Sequence, residues 1–515
     1  MNGESMSRKK GILFSYILTA VETLSSLVYT PILIHMLGQS EYGVYSLVYT
    51  ITTYLTLLDL GVGNSLVRYL SKYRVLKDQE KQNQFIGVST AFYAVISVVL
   101  IILGVILNLI FPYVFAKGLS AEEIRLSRIL LTLTVAITVV QFCGKSFGKA
   151  LVAYEQFVLS KVVLMVQIVL RVIVCLALLF LGYKSIAVVA VNLVLTVLIN
   201  VFYVAYGFIK LHFRPTLRGV EKGFVKEVLS YSSIILVQMI ATQINAMTDQ
   251  VMIGALVQSS AAILGVYAVG AQVTHYYQSF AGNMNGVLMP GVVRQVESHA
   301  TPQQLQKEMV RVGRWIFMIL ALIYTVFIVF GKDFVCLWAG EQNAQAYFVA
   351  VIILTPMVFS LTQSIGTQIL WAKGKALAQA ILKIVVAVLN LALTAVLIVY
   401  WDPLLGAAVG TGVSMLLGDV VVMNIVFKKD IGISMRAYYV HLLRGVLPAL
   451  GISALFGVLI KQLHFSAFGW LGLVLNCGGM CVAYAICMLW FGLNTAEKQQ
   501  IRTMVGKFTN KLHRV

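Results

Sequence analysis

The chain is poor in charge, and poorest in acid. Of its 515 residues 11% are Asp, Glu, Lys or Arg against 59% that are hydrophobic, and mean hydropathy is +0.88. A soluble domain carries roughly 25% charged residues to cover its surface, so a water-soluble globular protein is excluded. Cysteine is scarce: Cys143, Cys175, Cys336, Cys477, Cys481 and Cys487 contain no C-x-x-C and have no neighbouring histidine. That leaves zinc binding, redox catalysis and a disulfide scaffold without a pattern, and leaves small buried thiols as the reading. Histidine and acid form no cluster with metal-ligand spacing, and no nucleophile elbow occurs. Gly144-Lys145-Ser146 mimics the end of a phosphate-binding loop, but Val139 stands where its first glycine should be, inside an apolar block. No catalytic residue, metal or cofactor is expected, and the chain does not read as an enzyme. Low-complexity segments are absent, and no cleavable leader is expected, because Arg8-Lys9-Lys10 precedes a block too long for one.

What is present is a series of apolar blocks of 20 to 28 residues between short basic or polar breaks. Each is long enough to cross a bilayer as a helix, and none alternates with the period two of a transmembrane barrel. The expected fold class is an all-α polytopic membrane protein. About 14 spans are predicted, near 11–37, 44–70, 85–115, 125–152, 157–181, 185–210, 227–257, 262–290, 311–338, 345–372, 376–400, 404–427, 436–460 and 467–492. The net charge of +19 does not point to nucleic acid, because the cations sit in the breaks. With the N-terminus inside, about 32 of the 39 Lys and Arg fall on the cytoplasmic side, as the positive-inside rule requires. Trp338, Trp401 and Trp470 then fall at outer ends, and Trp315, Trp371 and Trp490 at inner ends, where an aromatic belt places them. Both termini are expected in the cytoplasm, and no break is long enough for a soluble catalytic domain.

The chain also repeats. Gln39-Ser40 and Gly43-Val44-Tyr45 recur as Gln258-Ser259 and Gly265-Val266-Tyr267, and the stretch from Gly148 resembles that from Gly366 at a similar offset. An offset of six helices, an even number, predicts two parallel six-helix lobes. The expected division is 1–226, 227–435 and a pair of additional spans with a basic tail, 436–515.

The chain is organised around residues 38 to 74. The polar turn Gly38-Gln39-Ser40-Glu41-Tyr42-Gly43 opens onto about 25 mostly apolar residues that carry Asp59, then Gly61, Gly63, Asn64 and Arg68. A carboxylate at mid-depth costs roughly 2.5 to 3.5 kcal/mol, so it must face protein or water. This turn, the Tyr-Gly-x-Tyr core, Asp-x-Gly-x-Gly and the trailing Arg-Tyr resemble the first two helices of Wzx-type polysaccharide flippases. Leu405-Gly406-Ala407-Ala408-Val409-Gly410-Thr411 resembles the twelfth helix of that family, part of the multidrug/oligosaccharidyl-lipid/polysaccharide (MOP) exporter superfamily. The resemblance implies a V-shaped pair of six-helix bundles that alternately opens to each side. It also implies transfer of undecaprenyl-pyrophosphate-linked oligosaccharide from the inner to the outer leaflet of the cytoplasmic membrane, for surface polysaccharide assembly. Partners would be that lipid-linked sugar, membrane lipids, H+ or Na+ as a coupling ion, and the polysaccharide-assembly machinery. Lipid II flippases concentrate arginines in their cavity helices; here the first span has only Glu22 and the second only Asp59 and Arg68, which weighs against a peptidoglycan precursor.

Intramembrane ionisable residues are functional candidates by default. Glu22, Asp59 and Asp249 are the carboxylates for ion coupling, with static ion pairing as the alternative. Arg171 and Lys383 are the best-placed cations for a pyrophosphate, each with pairing to a nearby acid as the alternative, and Arg68 is a third, with snorkelling to the headgroups as its alternative. Arginine offers a planar fork to phosphate and keeps its charge. Lys145 and Lys149 read as cations that snorkel to the headgroups. Gln243, Asn245 and His275 fit sugar hydroxyls, though polar residues also hold membrane helices together. A cation-coupled multidrug exporter of the same fold is the nearest alternative, and a membrane glycosyltransferase or polymerase is the alternative from another class.

Overall fold

A computed structural model describes residues 2–60, 62–218, 243, 248–297, 301–373, 375–462, 469–500 and 502–503. Their regular structure is helical, with no strand among them. The helices are α1 Asn2–Leu55, α2 Val62–Val75, α3 Gln79–Val114, α4 Ala121–Ala153, α5 Phe157–Phe180, α6 Ser185–Ile209, α7 Ala261–Glu297 and α8 Pro302–Ala339. They continue as α9 Ala346–Thr362, α10 Ser364–Ala372, α11 Ala376–Tyr400, α12 Pro403–Met415, α13 Met423–Asp430, α14 Met435–Leu443, α15 Val446–Gln462 and α16 Trp470–Cys487. Among the described residues nine helices are long and apolar enough to cross a membrane, eleven if the bent pairs α9–α10 and α14–α15 each form one span. Most of the expected seventh span, 227–257, and the expected boundary at 226/227 lie outside the described residues.

The stretch 38–74 differs from its expected form. A helix of 54 residues would be ~81 Å long, against a hydrocarbon core of ~30 Å. One residue interrupts α1: Gly38, at φ 76 and ψ 169, a conformation that costs an L side chain dearly. The expected six-residue turn is thus one glycine. The expected span 44–70 is not one continuous helix either. After Leu55 the chain tightens into a 3-10 turn, Thr56–Asp59, passes through left-handed Leu60 (φ 51), and restarts at Val62. Glycines at 61 and 63 weaken the helix at this point.

The chain divides into two compact units, Met1–Ala268 with Thr394–Ala407, and Val269–Leu393 with Ala408–Val515. In the first, α4 packs against α6, α3, α1 and α2, and α1 packs against α5. At the α2 end a buried cluster holds Leu66, Tyr69, Leu70, Phe85, Ile86, Phe147 and Phe213. The other faces are oily: Val98, Ile102, Val105 and Leu109 run along α3, each more than half exposed. Large aliphatic residues so displayed have lipid as their solvent. The polar residues after Gly38 cap neighbouring helices. Glu41 accepts from the Ser185 backbone N–H (3.0 Å) and hydroxyl (2.6 Å) at the start of α6, and Ser40 donates to Glu123 of the capping box that opens α4. The repeated glycines have a shared cause. A Cβ at Gly43 would lie 2.0 Å from the Ala261 carbonyl oxygen, and one at Gly265 would lie 2.4 Å from that of Gln39. The two repeat-related segments meet backbone to backbone, where only glycine fits.

In the second unit α8 is the long central element, packed against α9, α14, α15 and α16. Phe330, Leu473 and Met480 form a core where α8 meets α16. Between α12 and α13 a π-helical turn, Leu416–Val422, carries Asp419. Buried Arg314 of α8 grips the carboxylate of Glu497 (2.6 and 3.1 Å) and the carbonyl oxygens of His441, Arg444 (3.1 Å) and Gly492 (3.1 Å). One guanidinium thus satisfies the ends of the segments that lead into and out of the last helices.

Candidate functional site

In the first unit, α5 presents Arg171 half-buried, with its Nε fully buried and without a hydrogen-bond partner among the described residues. No carboxylate lies within ion-pairing distance of it among the described residues. Around it α1 supplies Tyr29 from before Gly38, and Tyr45 and Tyr49 from after it, all close enough for the guanidinium charge to act on their hydroxyls. The Tyr45 and Tyr49 rings lie 4.7 Å apart, and Asn192 of α6 donates to the Tyr49 hydroxyl at 2.9 Å. An arginine fork within electrostatic range of several phenols and held in a membrane helix suits an anion with several oxygens. Arg171 stood out in the sequence, and the tyrosines did not. Their signal was available: Tyr42, Tyr45 and Tyr49 recur at the three- and four-residue spacing of one helix face.

Asp59 does not stand alone at the helix break. It accepts from the Tyr93 hydroxyl (2.7 Å) and pairs with Lys145 Nζ (3.0 Å), which also lies 4.6 Å from the centre of the Phe142 ring. Lys145 is therefore engaged with a carboxylate. Lys149, one turn on, crosses the break beside Gly63, where a Cβ would lie 3.2 Å from its Cε. Lys145 pairs with the carboxylate at the break, and Lys149 lies beside it.

Asp249 is buried, accepts from the Tyr267 hydroxyl, and lies 3.3 Å from that of Thr394. Gln250 beside it accepts from Ser46 (3.0 Å) and Thr50 (2.7 Å) of α1. Gln243 is half-buried and its Nε2 has no partner among the described residues; Asn245 lies outside them. Glu22 on α1 and Arg68 on α2 are exposed, the Arg68 guanidinium 5.8 Å from the centre of the Tyr69 ring. In the second unit His275 of α7 is exposed, and Lys383 of α11 pairs with Asp419 at 2.6 Å. Among the described residues no group of three His, Cys, Asp or Glu could hold a metal.

The sequence profile of the polysaccharide biosynthesis protein family matches residues 9–296, more than half of the chain. The chain belongs to that family. Its fold is that of the MOP superfamily. The structure is similar to that of the lipid II flippase MurJ in an inward closed conformation, at a TM-score of 0.70 and 14% identity over 92% of this chain and 98% of that one. It is also similar to a MOP superfamily transporter from Pyrococcus furiosus (TM-score 0.59, 15% identity, 84% of this chain and 98% of that one). An inward-facing multidrug resistance MATE transporter matches as well (TM-score 0.60, 14% identity, 82% and 98%). No curated protein sequence matches the chain. Family and fold are those of multi-pass membrane transporters and flippases.

Proposed function

We propose that this member of the polysaccharide biosynthesis family moves a polyprenyl-pyrophosphate-linked oligosaccharide, with undecaprenyl as the lipid, from the inner to the outer leaflet of the cytoplasmic membrane. It acts as a transporter and not as an enzyme. The observation that carries the reading is Arg171: a guanidinium in a membrane helix, with a buried nitrogen unpaired and no carboxylate beside it among the described residues. Membrane proteins bear such a cost where a ligand offsets it. A pyrophosphate supplies the missing acceptors, and the tyrosine hydroxyls around Arg171 can donate to its remaining oxygens. The other candidate cations bear differently on the reading. Lys383 and Lys145 each hold a carboxylate, so an arriving anion must compete for them, whereas Lys149 adds positive charge beside Asp59.

The sugar requires neutral donors and acceptors, and Gln243, whose amide nitrogen has no partner among the described residues, is the residue best suited to it, together with Asn245 and His275. Flipping proceeds by alternating access, with the head group carried past lipid while the chain stays in it. The energy comes from an H+ or Na+ gradient, the membrane potential or the substrate gradient. Asp59, Asp249 and Glu22 are the carboxylates on which a coupling ion would act. Both termini face the cytoplasm, the arrangement the charge asymmetry favours.

The test replaces Arg171 with Gln and with Lys in cells that depend on this protein for surface polysaccharide. Arg171→Gln removes charge-assisted hydrogen bonds worth about 1.5 to 3 kcal/mol each, so transport should fall at least about tenfold. Arg171→Lys, with a charge but no fork, should fall between. Full transport by Arg171→Gln, at normal protein level, would remove the pyrophosphate role.

A further inference from the structure

Away from Arg171, the lipid-facing side of the first unit carries a groove of about 470 Å³ between α3 and α4. Ile101, Val105, Leu109, Ala136, Val139 and Val140 line it, so its length is aliphatic. One end is polar and ordered. The Asn108 amide donates to the Arg128 carbonyl oxygen (2.9 Å) and to the Thr132 hydroxyl (3.0 Å), while Arg128 Nε donates to Asn108 Oδ1 (2.8 Å). This ties the guanidinium to Asn108, a residue of the groove wall; Arg128 itself is exposed, with no carboxylate in ion-pairing range among the described residues.

The depth suits a lipid head group. Asn108 lies six residues before the end of α3 and Arg128 seven after the start of α4, hence ~9 and ~11 Å in from those ends. At 36 and 33 residues the two helices are ~54 and ~50 Å long, which overshoots a ~30 Å hydrocarbon core by roughly 10 Å at each end. With that overshoot shared equally between the two ends, the polar end of the groove is level with the border between head groups and hydrocarbon, and the aliphatic part runs inward from it.

We propose that this groove binds an anionic phospholipid, its phosphate on the terminal nitrogens of Arg128 and one acyl chain along Leu109, Val105 and Ile101. Charge complementarity selects the occupant. A single oriented guanidinium, with Glu122 and Glu123 less than two turns away on α4, matches the one charge of a phosphodiester better than the larger charge of a pyrophosphate. The site is separate from Arg171 and does not rest on the transport reading.

The experiment uses the full-length protein in detergent, titrated with dioleoyl phosphatidylglycerol or dioleoyl phosphatidylcholine and read by native mass spectrometry. The wild type should retain phosphatidylglycerol about five-fold more strongly, the preference expected of one basic residue at a membrane surface. Arg128→Gln should bring the two lipids to within about twofold, and Val105→Trp, a substitution on a half-exposed wall, should weaken retention of both. Matching melting temperatures would show that the variants fold. A phosphatidylglycerol preference that survives Arg128→Gln overturns the proposal, as does undiminished retention by Val105→Trp if the first variant does not fold. Preferential displacement of phosphatidylglycerol by a polyprenyl pyrophosphate also overturns it, and assigns the groove to the transported lipid.

Discussion

Replacing Arg314 by Ala should be among the most damaging single changes outside the glycines. The guanidinium and the Glu497 carboxylate are both 6% exposed and meet in a two-pronged pair. Removing the cation strands a buried carboxylate, a loss of about 3 to 5 kcal/mol. It also frees the carbonyl oxygens of His441, Arg444 and Gly492, the last of them in a buried bond. Glu497→Gln should cost less. The carbonyl oxygens keep their guanidinium, and the new side-chain amide would still accept one hydrogen bond, so the loss is that of a charge-assisted bond, about 1.5 to 3 kcal/mol. Because the two side chains share one interaction, the double variant should fall short of the sum by about 0.5 to 3 kcal/mol. Equilibrium unfolding in mixed micelles, monitored for all four proteins, measures the cycle. Additive losses, or a loss under about 1 kcal/mol for Arg314→Ala, would refute the view that this pair fastens the last helices to α8.

Two other predictions concern stability. Lys383→Met should destabilise the protein by about 3 kcal/mol or more by leaving Asp419 unpaired, and adding Asp419→Leu should restore most of it, because an apolar pair of similar size tolerates the same place. If the double variant still binds and flips substrate, the pair is structural. Gly43→Val should abolish accumulation of folded protein in the membrane, since the Ala261 carbonyl oxygen occupies the space of its Cβ, whereas Gly282→Ala, where nothing lies within 4 Å, should accumulate normally. Immunoblots of membrane fractions compare them, and equal levels would contradict the close approach.

The membrane class was plain from the scarcity of charge, and the relatedness of the turns at 39–45 and 258–267 from their shared residues. The reason for the shared glycine, a mutual backbone approach, was not, because it depends on two segments about 220 residues apart meeting. Periodicity also hid the break at Thr56–Leu60, since apolar residues continue through it and one left-handed leucine leaves no mark in composition. The candidate site was half legible. Arg171 stood out as an isolated charge in an oily block, and the tyrosine spacing could have been read from one face. Which cations were already paired could not: Asp59 finds Lys145, and Lys383 finds Asp419, only through helix packing. Nothing in the sequence sets Arg314 apart from the other basic residues of the breaks, because burial is a property of the fold.

The central claim is tested most directly by the leaflet that holds the polyprenyl-linked oligosaccharide in cells depleted of this protein. The account predicts that completed units collect on the inner leaflet and that the wild-type gene, but not its Arg171→Gln form, returns them to the outer one. An unchanged lipid-linked pool with altered sensitivity to cationic drugs would contradict it and point to an exporter; unpolymerised units gathered on the outer leaflet would contradict it in favour of a polymerase.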